Sequence, residues 1–308
     1  MAFCCMFAGQ GAQIPGMGRD FAESSPDLMA LFEKANAVLG FDLMKVCFEG
    51  PAEDLTKSNV CQPAIFVTSY AAYLSLQKRR PTAFACAAGL SLGEWGALCA
   101  AGVLDFDSTL KVLEARGRFM QEACEAEPSG MIAVVGASPD QLKALCEVTG
   151  CTVANVNSAA QQVLSGSRDA VAACAAKAKE LGVKRAIPLA TAGAFHSKFM
   201  APAREKLAPV LDSISFSAPK FPVLSNVTGR PHSSDPGEIR ALMLEQVTGT
   251  TNWAADVECA KSMGCSTFVE FGPGKVLSGL VKKIDPALAA VNVSDIASLD
   301  AAVAAIGA

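Results

Sequence analysis

The pentapeptide Gly89-Leu90-Ser91-Leu92-Gly93 places a serine between two glycines, after the apolar run 83–88 and before the helix-like stretch 94–101. This order is typical of a strand, a tight turn and a helix, in which the turn presents the serine hydroxyl as a nucleophile. The glycines allow the unusual backbone angles that such a turn requires. Ser91 is therefore the candidate nucleophile. The alternative is an ordinary strand–helix junction with Ser91 as the helix N-cap.

A nucleophilic serine needs a base, and the chain has only two histidines. His232 lies among turn-forming residues at 230–237, which predicts an exposed loop. His196 follows the strand-like segment 185–189, in a loop that could direct an imidazole into a cleft. A lone histidine beside apolar residues is often structural, but the need for a partner to Ser91 favours His196 as the general base.

The elements that position these residues follow from hydrophobic periodicity and helix-end signals. A helix is predicted to begin at Ser25-Pro26, with serine as the cap, and to end at Gly40, and a second helix is predicted over residues 105–127. From residue 130 to 188 the pattern is strand, helix, strand, strand, helix, strand. This order, βαββαβ, is the ferredoxin-like arrangement, and it predicts a small subdomain over residues 126–190.

The predicted fold class is thus α/β, with a hydrolase-like core and the ferredoxin-like subdomain as an insertion. Residues 1–125 and 191–308 would form the core around a parallel sheet, whose later strands are predicted at 222–225, 266–271 and 289–293. Ser91 precedes the insertion and His196 follows it, which predicts an active-site cleft between the two units.

Composition excludes several classes of protein. The chain has 308 residues, 51% of them hydrophobic and 18% charged, which is enough for one large core with a smaller inserted unit. Its net charge of −4 argues against nucleic acid or a membrane surface as partner. No apolar run reaches the roughly 18 residues of a membrane span. Residues 1–7 lack the basic start of a signal peptide and are predicted to form the first strand.

No cofactor or metal is expected. The twelve cysteines contain no C-x-x-C pair, and with only two histidines they predict buried thiols in a reducing compartment instead of a zinc site. Gly9-Gln10-Gly11 and Gly272-Pro273-Gly274-Lys275 lack the spacing of nucleotide-binding loops. The chain is expected to be a monomer in the cytoplasm, or in a plastid or mitochondrion if a transit peptide has been removed.

Six blocks of the sequence together resemble the malonyl-CoA:acyl carrier protein transacylase family, over nearly the whole chain. In order, the blocks are Phe7-Ala8-Gly9-Gln10-Gly11-Ala12-Gln13, Gly89-Leu90-Ser91-Leu92-Gly93-Glu94, Arg116-Gly117-Arg118-Phe119-Met120, Gly193-Ala194-Phe195-His196-Ser197, Ser225-Asn226-Val227-Thr228-Gly229 and Glu270-Phe271-Gly272-Pro273-Gly274-Lys275. The resemblance implies transfer of malonyl from malonyl-CoA to the pantetheine thiol of acyl carrier protein, in fatty acid synthesis, through a malonyl-serine intermediate.

The resemblance also implies roles for five further residues. The backbone amides of Gln10 and Leu92 would form the oxyanion hole. Arg116 would bind the malonyl carboxylate through two parallel hydrogen bonds, although a surface arginine on a helix is the alternative. Gln246 matches a family glutamine whose backbone carbonyl orients the histidine, and Asn157 is carried over as a substrate-binding residue near the site.

The chain departs from the family pattern at two positions. Leu90 stands where the family usually has histidine, and Asn252 where it usually has arginine. The loss of a polar group beside Ser91 bears on acyl specificity. Phe195, however, is found at the same place in malonyl-selective relatives, since a phenyl ring there would crowd an α-methyl branch.

Three other functions remain open at this point. One is a serine esterase or thioesterase of the α/β-hydrolase type, which would require an acid between Ser91 and His196 in chain order. Another is a trans-acting acyltransferase of a polyketide pathway. The third is a catalytically silent scaffold that binds acyl carrier protein.

Basic residues close in sequence to His196 bear on the partner. Because acyl carrier proteins are acidic, these residues predict a basic rim that steers docking, with ordinary solvated surface charges as the alternative. They are Lys184, Arg185, Lys198 and Arg204.

Overall fold

The computed structural model describes residues 2–307. The strands, in chain order, are β1 (Ala2–Phe7), β2 (Cys86–Gly89), β3 (Ser129–Val135), β4 (Thr152–Ser158), β5 (Gln161–Ser167), β6 (Arg185–Pro188), β7 (Leu224–Ser225), β8 (Arg230–Pro231), β9 (Cys265–Phe271) and β10 (Ala289–Val293). The α-helices are α1 (Arg19–Ser24), α2 (Pro26–Leu39), α3 (Leu43–Glu49), α4 (Ala52–Thr56), α5 (Ser58–Arg79), α6 (Leu92–Ala100), α7 (Phe106–Ala126), α8 (Pro139–Thr149), α9 (Arg168–Glu180), α10 (Ala201–Asp212), α11 (Pro236–Glu245), α12 (Trp253–Ser262), α13 (Val276–Ile284) and α14 (Ile296–Gly307).

The larger sheet has the strand order β10-β9-β1-β2, and every pair in it is parallel. Its central strand β1 is an apolar run whose last four residues are buried, as expected where helices cover both faces of a parallel sheet. The parallel core is confirmed, and the strands predicted at 266–271 and 289–293 are in it.

The strand predicted at 222–225 is only partly correct. Val223 makes a parallel bridge to Ala87 beside the larger sheet, but β7 pairs antiparallel with β8. The intervening turn contains Gly229, whose φ of 64° reverses the chain. This ribbon folds back toward the strand end that carries Ser91.

The smaller sheet has the order β4-β5-β3-β6, and all its pairs are antiparallel. Helices α8 and α9 pack on it through a separate apolar cluster that includes Ile132, Leu145, Leu164 and Cys174. The predicted ferredoxin-like arrangement is confirmed. The boundaries near residues 126 and 190 stay a prediction, and residues 1 and 308, which would end the two core segments, lie outside the described part of the chain.

The helix predicted to follow Ser25 corresponds to α2, and the helix predicted over 105–127 corresponds to α7. Ser25 occupies the N-cap position of α2, but its side chain makes no capping hydrogen bond. Helix α7 packs against α5 at Gly117, where a Cβ atom would lie 2.3 Å from the carbonyl oxygen of Ser58. This close approach places the preceding residue, Arg116, in the interior. Within residues 2–307, no helix is long and apolar enough to cross a membrane.

Candidate active site

Ser91 lies at the tip of a strained turn between β2 and α6. Its φ is 55° and its ψ −106°, a conformation that a residue with a side chain adopts only when its surroundings impose it. The two flanking glycines are required by packing: a Cβ at Gly89 would lie 2.0 Å from the carbonyl carbon of Gly93, and one at Gly93 would lie 2.1 Å from the Phe7 oxygen. The Ser91 side chain makes no N-cap hydrogen bond, so its hydroxyl is free for other contacts.

His196 contacts Ser91 directly. Its Nε2 lies 2.8 Å from Ser91 Oγ, and its Nδ1 lies 2.9 Å from the main-chain oxygen of Gln246. A carbonyl oxygen can only accept, so Nδ1 carries the proton and Nε2 is left to accept the Ser91 hydroxyl. The imidazole is thus oriented by a backbone carbonyl, in the place where an esterase triad has a carboxylate.

The loop that carries His196 is held by the smaller sheet. The hydroxyl of Ser165, on β5, donates to the Phe195 oxygen at 2.6 Å, and the Ala194 amide donates to the hydroxyl of Ser129, on β3, at 3.0 Å. The site therefore combines a serine from one sheet with a histidine positioned by the other.

His196 is 5% exposed. Burial, followed by the positive charge of Arg116, lowers its pKa to about 4, although the hydrogen bond to the Gln246 carbonyl acts in the opposite direction. The imidazole is therefore neutral at neutral pH and can take a proton from Ser91.

Arg116 is 1% exposed, so the alternative of a surface arginine is wrong. Its Nη2 donates to Ser91 Oγ at 3.0 Å and to Gln246 Oε1 at 3.1 Å, and its Nη1 donates to Gln62 Oε1 at 2.8 Å. Burial lowers the pKa of Arg116 to about 10, and the negative charge of Glu94 works against this shift. The guanidinium thus stays charged at neutral pH and lies against the nucleophile.

The loop containing Gln10 packs directly on the serine turn. A Cβ at Gly9 would lie 2.7 Å from the Leu90 carbonyl oxygen, so glycine permits this contact. The main-chain N–H groups of Gln10 and Leu92 have no acceptor among residues 2–307. Two unused donors beside a nucleophilic serine are suited to a developing oxyanion.

A cavity of about 510 Å³ opens above Ser91 and His196. Its lining comes from both units and includes an apolar set, namely Leu90, Met120, Met131, Val163 and Phe195. Asn157 lines the same cavity and is 8% exposed, but it makes no hydrogen bond to Ser91, His196 or Arg116. Its Oδ1 has no hydrogen-bond partner within the described chain.

The two departures from the family pattern differ in position. Leu90 lies in the cavity wall beside Ser91. The side chain of Asn252 instead donates to the main-chain oxygens of Asn226 and Val227, at 3.1 and 3.0 Å, and is not part of the cavity lining. Only Leu90 is therefore placed to contact an acyl group.

The residues around His232 are exposed as predicted, but the prediction is wrong for His232 itself, which is 6% exposed. Its Nε2 lies 2.7 Å from Glu94 Oε1, and both side chains are almost fully buried. The β7–β8 ribbon brings it there, since the His232 amide donates to the Val223 oxygen at 2.8 Å. Turn-forming neighbours indicate a loop correctly but do not tell which way the loop folds.

Sequence reasoning missed a buried polar network behind the serine turn. Asn226 accepts from the Ser91 amide at 2.7 Å and donates to the Gly89 oxygen and to Asp256 Oδ2, both at 2.8 Å. Burial, and then the charge of Glu94, raise the pKa of Asp256 well above its usual range. Two members of this network, Asn226 and Glu94, lie in blocks that resemble the family, and Glu94 is also a charged residue in an otherwise apolar helix, but the sequence assigned neither a role.

No metal site accompanies this arrangement: within residues 2–307 no three His, Cys, Asp or Glu side chains could together hold a metal ion. The cysteines are free thiols, and all except Cys146 and Cys259 are buried. None of them lines the cavity.

The strained turn at Ser91, its contact with His196 and the buried Arg116 define a site suited to acyl transfer, and residues 4–277 match the acyl transferase domain family. Malonyl CoA-acyl carrier protein transacylase of Haemophilus influenzae is 38% identical over 304 residues, which cover 97% of each chain. The chain belongs to the malonyl CoA-acyl carrier protein transacylase family.

Solved structures agree with this assignment. An acyl-carrier-protein-S-malonyltransferase from Bartonella henselae has a TM-score of 0.95 and 34% identity, with 100% of both chains covered. A malonyl-transacylase solved in complex with its type II PKS acyl-carrier protein has a TM-score of 0.95 and 36% identity, covering 99% of this chain and 100% of that one.

Proposed function

We propose that this protein transfers malonyl from coenzyme A to the phosphopantetheine thiol of an acyl carrier protein, in fatty acid synthesis, through a malonyl-Ser91 intermediate. One observation carries the proposal: Ser91 Oγ contacts a neutral imidazole at 2.8 Å and a buried guanidinium at 3.0 Å. The imidazole supplies a base for nucleophilic attack. The guanidinium selects an acyl group that ends in a carboxylate.

In the first half-reaction, His196 Nε2 takes the proton of Ser91 as Oγ attacks the thioester carbonyl. The amides of Gln10 and Leu92 donate to the oxyanion, and loss of such a donor typically costs about 3 kcal/mol in acyl-transfer enzymes. The carbon–sulfur bond then breaks, and the coenzyme A sulfur takes the proton from His196. Malonyl-Ser91 remains.

The second half-reaction reverses these steps with a different thiol. His196 takes the proton of the carrier protein's phosphopantetheine thiol, whose sulfur attacks malonyl-Ser91 through the same oxyanion hole. The bond from carbon to Ser91 Oγ breaks, and Oγ recovers its proton from His196. All steps use side chains and main-chain amides of this protein, the thioester and the carrier thiol, so the proposal includes no bound cofactor or metal.

Arg116 would hold the malonyl carboxylate while both half-reactions proceed. Gln246 would orient His196 through its main-chain oxygen. Asn157, which lines the cavity, would contact the bound substrate.

Hydrolysis is the competing outcome, and the surroundings of His196 argue against it. An α/β-hydrolase uses an acid to orient its histidine. Here the orienting group is the carbonyl of Gln246, so the surroundings of His196 differ from those of a hydrolase triad.

Intact mass after incubation with malonyl-CoA tests the proposal. With malonyl-CoA alone, the protein should gain one malonyl group. Adding holo acyl carrier protein should remove that group and place it on the carrier. Release of free malonate without transfer would instead establish a thioesterase, and the absence of any adduct would support a silent scaffold.

The low pKa of His196 predicts an unusual pH profile. The base must be neutral, so loading of Ser91 is retained above the His196 pKa and lost as the pH falls through about 4. We expect kcat/KM for loading by malonyl-CoA to stay level from about pH 8 to pH 5, because this parameter reports the ionisations of the free enzyme. Rapid-quench loading across this range is the measurement, and a loss centred near the ordinary histidine pKa would contradict it.

The carrier protein would approach over a basic rim at the cavity mouth. Lys184, Arg185, Lys198 and Arg204 are exposed, and within the described chain none of them pairs with a carboxylate. The nearness of Lys198 to His196 in the chain, and the cavity-lining residue Leu189 just after β6, support a rim near the opening. An acidic partner would be steered toward Ser91 by these charges.

Charge reversal tests this surface. Lys198→Glu with Arg204→Glu should raise KM for carrier protein about tenfold and weaken its salt dependence, since steering by rim charges is lost. Loading by malonyl-CoA alone should not change. The matched control is the same reversal at Lys282 and Lys283; if that variant raises KM and the first does not, the carrier docks near α13.

A further inference from the structure

Gln246 connects all three groups of the site through two different parts of the residue. Its main-chain oxygen accepts from His196. In its side chain, Nε2 donates to the Ser91 main-chain oxygen at 2.9 Å, and Oε1 accepts from Arg116 at 3.1 Å. The side-chain amide must therefore present its oxygen, and not its nitrogen, to the guanidinium.

Glu94 and the Ser91 carbonyl together fix that orientation. Glu94 Oε2 accepts from Gln246 Nε2 at 2.6 Å and from the main-chain amide of Asn226 at 3.2 Å. Because the Asn226 amide can only donate, Oε2 must be an acceptor, and the group of Gln246 that faces it must be the NH₂. A reversed amide would bring two oxygens together at Glu94 and two donors together at Arg116.

Arg116 depends on this oxygen for its own orientation. One terminal nitrogen is held by Gln62 and the other by Gln246, and these contacts leave the guanidinium directed at Ser91. Its Nε has no partner within the described residues, so the two glutamine oxygens are the main restraints on the group. Without one of them, the guanidinium would turn away from the place where the substrate carboxylate binds.

We propose that Glu94 is a positioning residue: by fixing the side-chain amide of Gln246 it directs Arg116, and thereby sets the selectivity for acyl groups that end in a carboxylate. The inference rests on the proposed malonyl transfer. It goes beyond it by assigning selectivity to a residue that does not line the cavity. Glu94 is fully buried, so it acts only through its neighbours.

Two variants of Glu94 distinguish a role in positioning Gln246 and Arg116 from a general role in stabilising the serine turn. Glu94→Met removes the acceptor while keeping the length of the side chain. Glu94→Gln keeps an acceptor for Gln246, because its NH₂ can face His232 once that imidazole takes the other tautomer. The quantity measured is the ratio of kcat/KM for Ser91 loading by malonyl-CoA to that by acetyl-CoA.

We expect Glu94→Met to lower this ratio about tenfold or more, because malonyl loading becomes slower while acetyl loading does not. Glu94→Gln should keep most of the ratio of the unaltered protein. Gln246→Met, which keeps the main-chain oxygen for His196, should lower the ratio equally, and the double variant should be no worse than either single one. The matched control is Glu270→Gln, which neutralises another fully buried carboxyl group, one that contacts Leu277 and Ser278 and not the serine turn. Its ratio should be unchanged.

The inference would be overturned if Glu94→Met and Gln246→Met lowered kcat/KM equally for malonyl-CoA and acetyl-CoA. It would also be overturned if Glu94→Gln lowered the ratio as much as Glu94→Met. If Glu94→Met does not fold, Gln246→Met decides, and an unchanged ratio there rejects the role. Failure of the proposed function has a different signature, since the unaltered protein would then form no malonyl adduct on Ser91.

Discussion

Replacing Ser91 with alanine should abolish the covalent malonyl adduct completely. The adduct requires an oxygen that His196 can deprotonate, and Ser91 Oγ is the atom that lies 2.8 Å from its Nε2. Intact mass and peptide mapping after incubation with malonyl-CoA are the measurements. The unaltered protein should carry one malonyl group on the peptide that contains Ser91.

Ser225→Ala is the control for this experiment. Ser225 is also fully buried, near the same turn, and its hydroxyl has no partner within residues 2–307, so its removal should leave the adduct intact. A malonyl group that maps to a cysteine would show that Ser91 is not the nucleophile. A Ser91→Ala protein that still forms the adduct would lead to the same conclusion.

Arg116→Ala should lower malonyl transfer by about 10²-fold or more. Without Arg116 the malonyl carboxylate would be buried with no charged partner, which costs on the order of 3 kcal/mol of binding free energy. Acetyl transfer should be spared or improved, since an acetyl group has no carboxylate and gains space. The ratio of kcat/KM for malonyl-CoA and acetyl-CoA measures this difference.

Arg118→Ala is the matched control for the carboxylate contact. It removes a guanidinium from the same helix, two residues away, where the side chain is 46% exposed and pairs with Glu114. Surface ion pairs contribute little, so its activity should stay near that of the unaltered protein. An equal loss of malonyl and acetyl transfer in Arg116→Ala would mean that Arg116 supports the serine and not the substrate.

The sequence was sufficient for features that depend on local order. The glycines around Ser91, the alternation of strands and helices from 130 to 188, and the parallel core strands at 266–271 and 289–293 were all predicted correctly. Each follows from residues that are near one another in the chain, where backbone sterics and hydrophobic periodicity act directly. Gly89 illustrates this, since a side chain at this position would clash with Gly93, which is only four residues later in the chain.

Tertiary structure alone decided how the distant segments meet. The turn residues around His232 predicted solvent, yet the imidazole is buried against Glu94, 138 residues away in sequence. Gln62 gave no signal, and Asn226 was assigned no role although it lies in one of the blocks that resemble the family. Both act through contacts, Gln62 with Arg116 and Asn226 with Ser91. A buried polar group must find partners wherever packing brings them, so its neighbours are set by the whole fold. The sequence therefore predicted Ser91 and His196 as nucleophile and base, whereas only the tertiary structure determined which groups surround them.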